Sequence, residues 1–114
     1  MRRRMRRGDV VLIEHRAGGG YGGKPWPAAV VQSDLFDGTN SLLICPLTTQ
    51  RRDAALLRVA VRPRAALRLA APSWVMVEKI TSIRRDRARE ILGCLSTSEM
   101  VALGQSLAVL LGFG

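Results

Sequence analysis

Two hydroxyls and two guanidiniums stand together in one short segment, Cys45-Pro-Leu-Thr-Thr-Gln-Arg-Arg. Thr48 and Thr49 close an apolar run, and Arg51 and Arg52 follow directly. A hydroxyl can donate a hydrogen bond to a phosphate oxygen, and a guanidinium can neutralise it with a planar fork of N–H donors. The plainer reading is that the threonines satisfy the last backbone groups of a strand and the arginines line an exposed loop. A second set, His15, Arg16 and Lys24, borders a stretch with five glycines between His15 and Gly23. A lone loop histidine can touch a phosphate, but more often does nothing specific. The third set is Glu78-Lys79, after the apolar run Trp74-Val-Met-Val. Glu78 could serve as a base or orient a cation; equally, it could pair with Lys79 in a solvated turn.

Charge narrows the partner. The 114 residues carry 18 basic and 9 acidic side chains, a net charge of +9, and all but Lys24 and Lys79 of the basic ones are Arg. Coding bias accounts for Arg over Lys but not for the surplus of positive charge. Such a surplus attracts polyanions and favours a nucleic-acid partner. The two cysteines, Cys45 and Cys94, lie far apart in apolar contexts and are expected as small buried residues, not a disulfide or metal pair. There is one histidine, no zinc spacing and no nucleotide-binding glycine signature, so no cofactor and no metal are expected. The uncharged run from Met100 to Gly114 is broken by Gln105 and Ser106 and falls short of the roughly 18 residues of a membrane span. Arg2 to Arg7 is not followed by an apolar signal core, so a cytoplasmic protein with no membrane association is expected.

These groups need a scaffold, and the length suits one domain. Residues 1–7 read as a basic, disordered extension and 8–114 as the domain. Val10-Val-Leu-Ile reads as a buried strand, Ala28 to Gln32 as the strand after Pro25 and Pro27, and Ser41 to Leu47 as the next. Asp37-Gly-Thr-Asn is a turn, with Gln32 and Asp34 expected to serve it. Leu57-Arg-Val-Ala-Val-Arg alternates as a half-exposed strand, and Trp74-Val-Met-Val is buried. Pro63 to Ala71 could hold one helical turn, Arg84 to Glu90 reads as a short charged helix, and Ile91 to Leu95 as a final strand. Ser96-Thr-Ser-Glu99 is a capping box, after which Met100, Leu103, Leu107, Leu110 and Leu111 recur at helical spacing until Gly112. The stripe would pack a core or a dimer. About six short strands in a meander and one terminal helix make a mainly β fold, a small barrel or curled antiparallel sheet with one or two further short helices.

Four segments in order carry a family resemblance: Arg7-Gly-Asp-Val-Val, Gly22-Gly-Lys-Pro-Trp-Pro-Ala-Ala-Val-Val-Gln-Ser-Asp, Cys45-Pro-Leu-Thr-Thr, and Pro72-Ser-Trp-Val-Met-Val-Glu-Lys. From Arg7 to Phe113 the chain resembles the MazF/PemK family of toxin endoribonucleases. The resemblance implies an SH3-like, CcdB-type fold and a homodimer with a groove across it. It implies metal-independent, sequence-selective cleavage of single-stranded mRNA, which stops translation and growth, as the toxin of a type II toxin–antitoxin pair. The implied partner besides RNA is a MazE-like antitoxin whose acidic C-terminal segment lies in the basic groove.

The family's chemistry, so implied, rests on a Thr at the end of the third strand and an Arg in an Arg-Pro step before the second. Thr48 matches the first, and Thr49 follows where relatives carry Ser, Thr or Ala. Trp26 stands where the Arg is expected, since relatives read Gly-Lys-Pro-Arg-Pro-Ala and this chain reads Gly23-Lys-Pro-Trp-Pro-Ala. An indole offers one neutral donor and cannot clamp a phosphate. Removing one preorganised donor typically costs about 10²–10³ in rate. Glu78 sits where relatives often have Asp. Three readings of Trp26 stay open: an inactivating substitution, which is preferred; a native residue with Lys24 or Arg16 supplying the charge; or a base-stacking platform in a protein that only binds. Catalysis is accordingly expected to be weak or absent, with Arg16, Lys24, Thr49, Arg51, Arg52 and His15 as RNA contacts. The alternatives are a noncatalytic RNA- or antitoxin-binding relative and, ranked last, a CcdB-like gyrase poison.

Overall fold

The structure, a computed structural model, describes residues 4–15, 23–51 and 57–114. Seven strands run in the order β1 (Asp9–Ile13), β2 (Trp26–Val30), β3 (Ser41–Thr48), β4 (Arg58–Val61), β5 (Ser73–Met76), β6 (Thr81–Arg84) and β7 (Ala88–Cys94), before helix α1 (Thr97–Leu111). All pairings are antiparallel, in the spatial order β4-β5-β3-β2-β1-β7, with β6 also paired to β3. The sheet curls but does not close, because no ladder joins β6 to β7 among the described residues.

The continuous apolar runs have a reason: the curled sheet is buried on both faces. Val10, Ala29, Val31, Cys45, Leu47, Val59, Val61, Val75 and Val77 pack toward α1, where Leu103 is fully buried. Val11, Ile13, Ala28, Val30, Leu42, Ile44, Ile83 and Ala88 fill the inside of the curl, with Met5, Trp26 and Ile91 against them. Successive residues of β1, β2 and β3 therefore alternate between two cores, not between core and water.

The capping box forms as the sequence predicts. Ser96 Oγ accepts from the Glu99 N–H at 3.2 Å and the Ser96 N–H donates to Glu99 at 2.8 Å. Gly112, with φ +84°, ends the helix in the left-handed region that favours glycine. Met100, Leu103, Leu107 and Leu110 face the core, whereas Leu111 is 58% exposed and lies off the stripe.

Several expectations are corrected. Arg84 to Glu90 is not a helix: β6 ends at Arg84, a 3-10 turn spans Arg85–Arg87, and β7 already begins at Ala88. The free edge of β1 takes Ala88, Glu90 and Ile91 as partners for Ile13, Leu12 and Val11, and that pairing overrides local helix preference. Pro63 to Ala71 holds no helical turn either. Arg64 and Leu67 exchange backbone hydrogen bonds of 3.2 and 2.8 Å, and the buried Leu67 bridges Gly93. Gly93 permits this approach, since a Cβ there would meet the Ala66 carbonyl oxygen at 2.1 Å.

Strand β2 starts two residues earlier than expected, because Trp26 and Pro27 pair with β1 alone, where a missing N–H is tolerated. Cys94 is exposed, and only Cys45 is buried. Within the extension, residues 4–7 lie against the domain. Arg6 and Arg7 donate backbone N–H groups to Asp9 and Asp34 at 2.8 Å each, and Arg4 pairs with Asp37 at 3.0 Å. Gln32 serves the turn as expected: it donates to Phe36 and Thr39 and accepts the Leu43 N–H.

Candidate active site

Strand alternation decides which side chains share a surface. In β3, Leu42, Ile44, Pro46 and Thr48 follow one face, the inside of the curl, while Leu43, Cys45 and Leu47 turn toward α1. Thr48 pairs with Trp74 of β5, and Arg58 of β4 pairs with Met76 of β5. Val59, Val61, Val75 and Val77 pack toward the helix, so Arg58, Trp74 and Met76 belong to the face that carries Thr48. Trp26 packs with Ala28 and Val30 on the inside of the curl, but the β2–β3 ladder ends at Ala28 and Pro46, so Trp26 pairs with Ile13 of β1 and not with Thr48.

A cavity of about 360 Å³ lies on this face, lined by Thr48, Gln50, Arg58, Met76 and Lys79. Its hydroxyl is partly engaged: Thr48 Oγ1 accepts the Gln50 backbone N–H at 3.1 Å. Accepting that bond leaves the Thr48 proton available as a donor. Opposite it, Arg58 Nη2 donates to Glu78 Oε2 at 2.6 Å, with the Arg58 side chain 9% exposed and that of Glu78 26% exposed. Arg58 Nε and Glu78 Oε1 are buried, and neither meets a hydrogen-bond partner among the described residues. Leaving such a group unpaired costs about 1–3 kcal/mol. Lys79 is exposed and adds a cation to the lining.

Glu78 thus faces Arg58 and not Lys79, which removes the solvated-turn pairing as its explanation. Its charge also reaches the other face of the sheet. Burial, with the Glu78 carboxylate as the second cause, pushes the Cys45 thiol up to about 12.

Thr48 lines this cavity and Glu78 holds its Arg58, whereas Trp26 packs against the core inside the curl and is not part of the lining. Thr49 and Arg51 follow Thr48 and are exposed. Lys24 is exposed on the approach to β2 and does not line the cavity. Arg16 and Arg52 lie outside the described residues. His15 packs against Gly23, where a Cβ would meet its ring at 2.2 Å, and it lines a separate cavity with Glu14, Ser82 and Arg87.

That cavity, of about 810 Å³, and a neighbour of about 860 Å³ lie between β6 and β7. Both exceed the Thr48 cavity in volume, but their guanidiniums are engaged locally. Arg84 pairs with Asp86 and Arg89 with Glu14, each at 2.6 Å, while Arg85 and Arg87 donate to backbone carbonyls. The Thr48 cavity differs in holding a hydroxyl on the same face as a guanidinium whose side chain is almost fully buried, a combination suited to a phosphate. Arg58 is the residue that sequence reasoning missed. The alternation of Leu57-Arg-Val-Ala-Val put it off the core face, but nothing local paired it with β5 or Glu78. Among the described residues no group of three or more His, Cys, Asp or Glu could hold a metal ion, and no helix is long and apolar enough to cross a membrane.

Comparison with known proteins agrees with this fold. Residues 6–111 match the family model described as PemK-like, MazF-like toxin of type II toxin–antitoxin system. A Mycolicibacterium smegmatis protein named "Probable endoribonuclease MazF" is 39% identical over 108 residues, covering 95% of this chain and 97% of that protein. Among solved structures, an endoribonuclease in complex with its cognate antitoxin from a mycobacterial species aligns with a TM-score of 0.78 at 25% identity, covering 96% of this chain and 97% of that one. MazF in a MazE-MazF crystal structure from Deinococcus radiodurans shares the fold, with a TM-score of 0.78 at 23% identity over 98% of this chain and 100% of that one. A family match over nearly its whole length, with the same curled sheet and terminal helix in solved relatives, makes this chain a member of the PemK-like, MazF-like toxin family of type II toxin–antitoxin systems.

Proposed function

We propose that the chain is the toxin of a type II toxin–antitoxin pair, a metal-independent endoribonuclease that cuts single-stranded RNA selectively by sequence, acts on mRNA in the cytoplasm and arrests growth. The observation that carries the reading is the cavity lined by Thr48, Arg58 and Lys79 at the end of β3, in a chain of this family. A phosphodiester in that cavity meets the Thr48 hydroxyl as a neutral donor and cationic groups that offset charge growing on the nonbridging oxygens. The attacking group in such a reaction is the neighbouring 2′-hydroxyl, which limits it to RNA. Thr49 and Arg51 would hold the strand beyond the cut by its backbone.

A homodimer is part of the proposal, supported by the outer face of α1, where Val101, Val109 and Leu111 are exposed. So is an antitoxin with an acidic segment, supported by the net charge of +9 and by the antitoxin complexes among the solved relatives.

The test is incubation of the purified chain and its Trp26→Arg variant with a long single-stranded RNA in EDTA, mapping the cut ends. Cutting by the variant at about 10²–10³ times the parent rate is expected. An RNA left whole by both refutes the endoribonuclease reading.

A further inference from the structure

We propose that Arg58, held in place by Glu78, is a catalytic residue of this chain: it supplies to the scissile phosphate the guanidinium that Trp26 does not provide. The inference rests on the endoribonuclease reading above. Arg58 is unlike the other arginines that line cavities. Its side chain is 9% exposed, its Nη2 donates to Glu78 at 2.6 Å, and its buried Nε has no acceptor among the described residues. A buried ion pair contributes little to stability for the desolvation it requires, so stability alone gives no reason to keep one with an orphaned donor. A binding role does, because planar, bidentate recognition of phosphate is what a fixed guanidinium does best.

Position agrees with that role. Arg58 lies two strands from Thr48 on the same face, roughly 10 Å between backbones, and both line one cavity. A phosphate seated there reaches the hydroxyl from one side and the guanidinium from the other. Met76 borders that space with apolar surface, which lowers the local dielectric and strengthens a charged donor. Lys24 is exposed and does not line the cavity, so it is poorly placed for the same task. Glu78 in this scheme is a positioning residue. Its Oε2 accepts from Arg58 Nη2 and holds that side chain in place.

The test is a cycle of Arg58→Gln and Arg58→Lys in the natural chain and in the Trp26→Arg background. Single-turnover cleavage of a defined RNA is measured beside its affinity for the 2′-deoxy analogue and its Tm. In the natural chain, Arg58→Gln is expected to lower the rate about 10²–10³-fold. With Trp26→Arg the same change should cost less than about tenfold, because the guanidinium at position 26 then carries most of the charge stabilisation and Arg58 adds little. Arg58→Lys keeps the charge and the Glu78 partner but loses the fork, and falls between the two. Glu78→Gln lowers kcat and leaves KM within about twofold, whereas a purely structural prop would move Tm and both constants.

Equal losses in both backgrounds, or an unchanged rate after Arg58→Gln, overturn the role of Arg58 while leaving the endoribonuclease reading intact. So does a natural chain that is inert while the Trp26→Arg variant cuts. An RNA that neither natural chain nor Trp26→Arg variant cuts overturns both.

Discussion

Thr48→Val separates the two things that a threonine at the end of β3 can do. Valine keeps the β-branched shape and removes only the hydroxyl. If the hydroxyl merely secures the strand end, the loss is the bond it accepts from the Gln50 N–H at 3.1 Å, in a loop open to water. A solvent-exposed bond of this kind contributes about 0.5–1 kcal/mol, so Tm should fall by roughly 2–6 °C and cleavage should not change. If the hydroxyl also donates to the scissile phosphate, the chemical step loses a preorganised donor, about 3–4 kcal/mol or 10²–10³ in rate. The two scales differ enough to be read apart. The assay is single-turnover cleavage of an end-labelled RNA in EDTA in the Trp26→Arg background, where the signal is largest, with thermal unfolding alongside. Thr48→Ser restores the hydroxyl and is expected within about tenfold of the parent. A Thr48→Val variant that cuts within about threefold of its parent, with Tm lowered as above, would refute the catalytic role and leave Thr48 as a strand terminator.

Leu103 is the one helix residue with no exposed surface, so Leu103→Ala should cost about 2–5 kcal/mol and lower Tm by roughly 8–20 °C. Cys94 is exposed and Cys45 is buried with its thiol pushed up to about 12, so an aromatic disulfide reagent should titrate Cys94 in the native chain and reach Cys45 only on unfolding. Burial alone would raise the Glu99 carboxyl, but hydrogen bonds from Arg64 and the Ser96 backbone and the Arg64 charge outweigh it, and the net direction is down. A lowered carboxyl contributes stability that is complete above its unfolded pKa and lost as pH falls through the folded one. Urea unfolding should therefore show stability falling on acidification through and below the ordinary glutamate range, with Glu99→Gln flattening that slope. RNA affinity should fall steeply with salt, and Arg51→Ala should reduce the slope by about one charge if Arg51 contacts a phosphate.

What the sequence determined by itself is whatever depends on near neighbours in the chain. The Ser96/Glu99 capping box, the left-handed stop at Gly112, the alternation of Leu57-Arg-Val-Ala-Val and the apolar runs of β1, β2, β3 and β5 are local patterns, and the structure keeps them. Thr48 and Trp26 were singled out for another reason: the family resemblance marks their segments even where spacing does not.

Tertiary structure decided the rest. Arg84 to Glu90 carries charges that suit a helix, yet an unpaired edge of β1 offers more hydrogen bonds, and the segment becomes strand. Pro63 to Ala71 looks like a short helix until Leu67 is buried against β7 through the opening at Gly93. Arg58 is the clearest case. Its charge was visible, but its partner lies twenty residues away and its cavity is assembled from β3, β4, β5 and the turn at Val77–Lys79. A carboxylate in a turn after β5 cannot be matched to a guanidinium on β4 from sequence when the register of those two strands is set by burial on the opposite face.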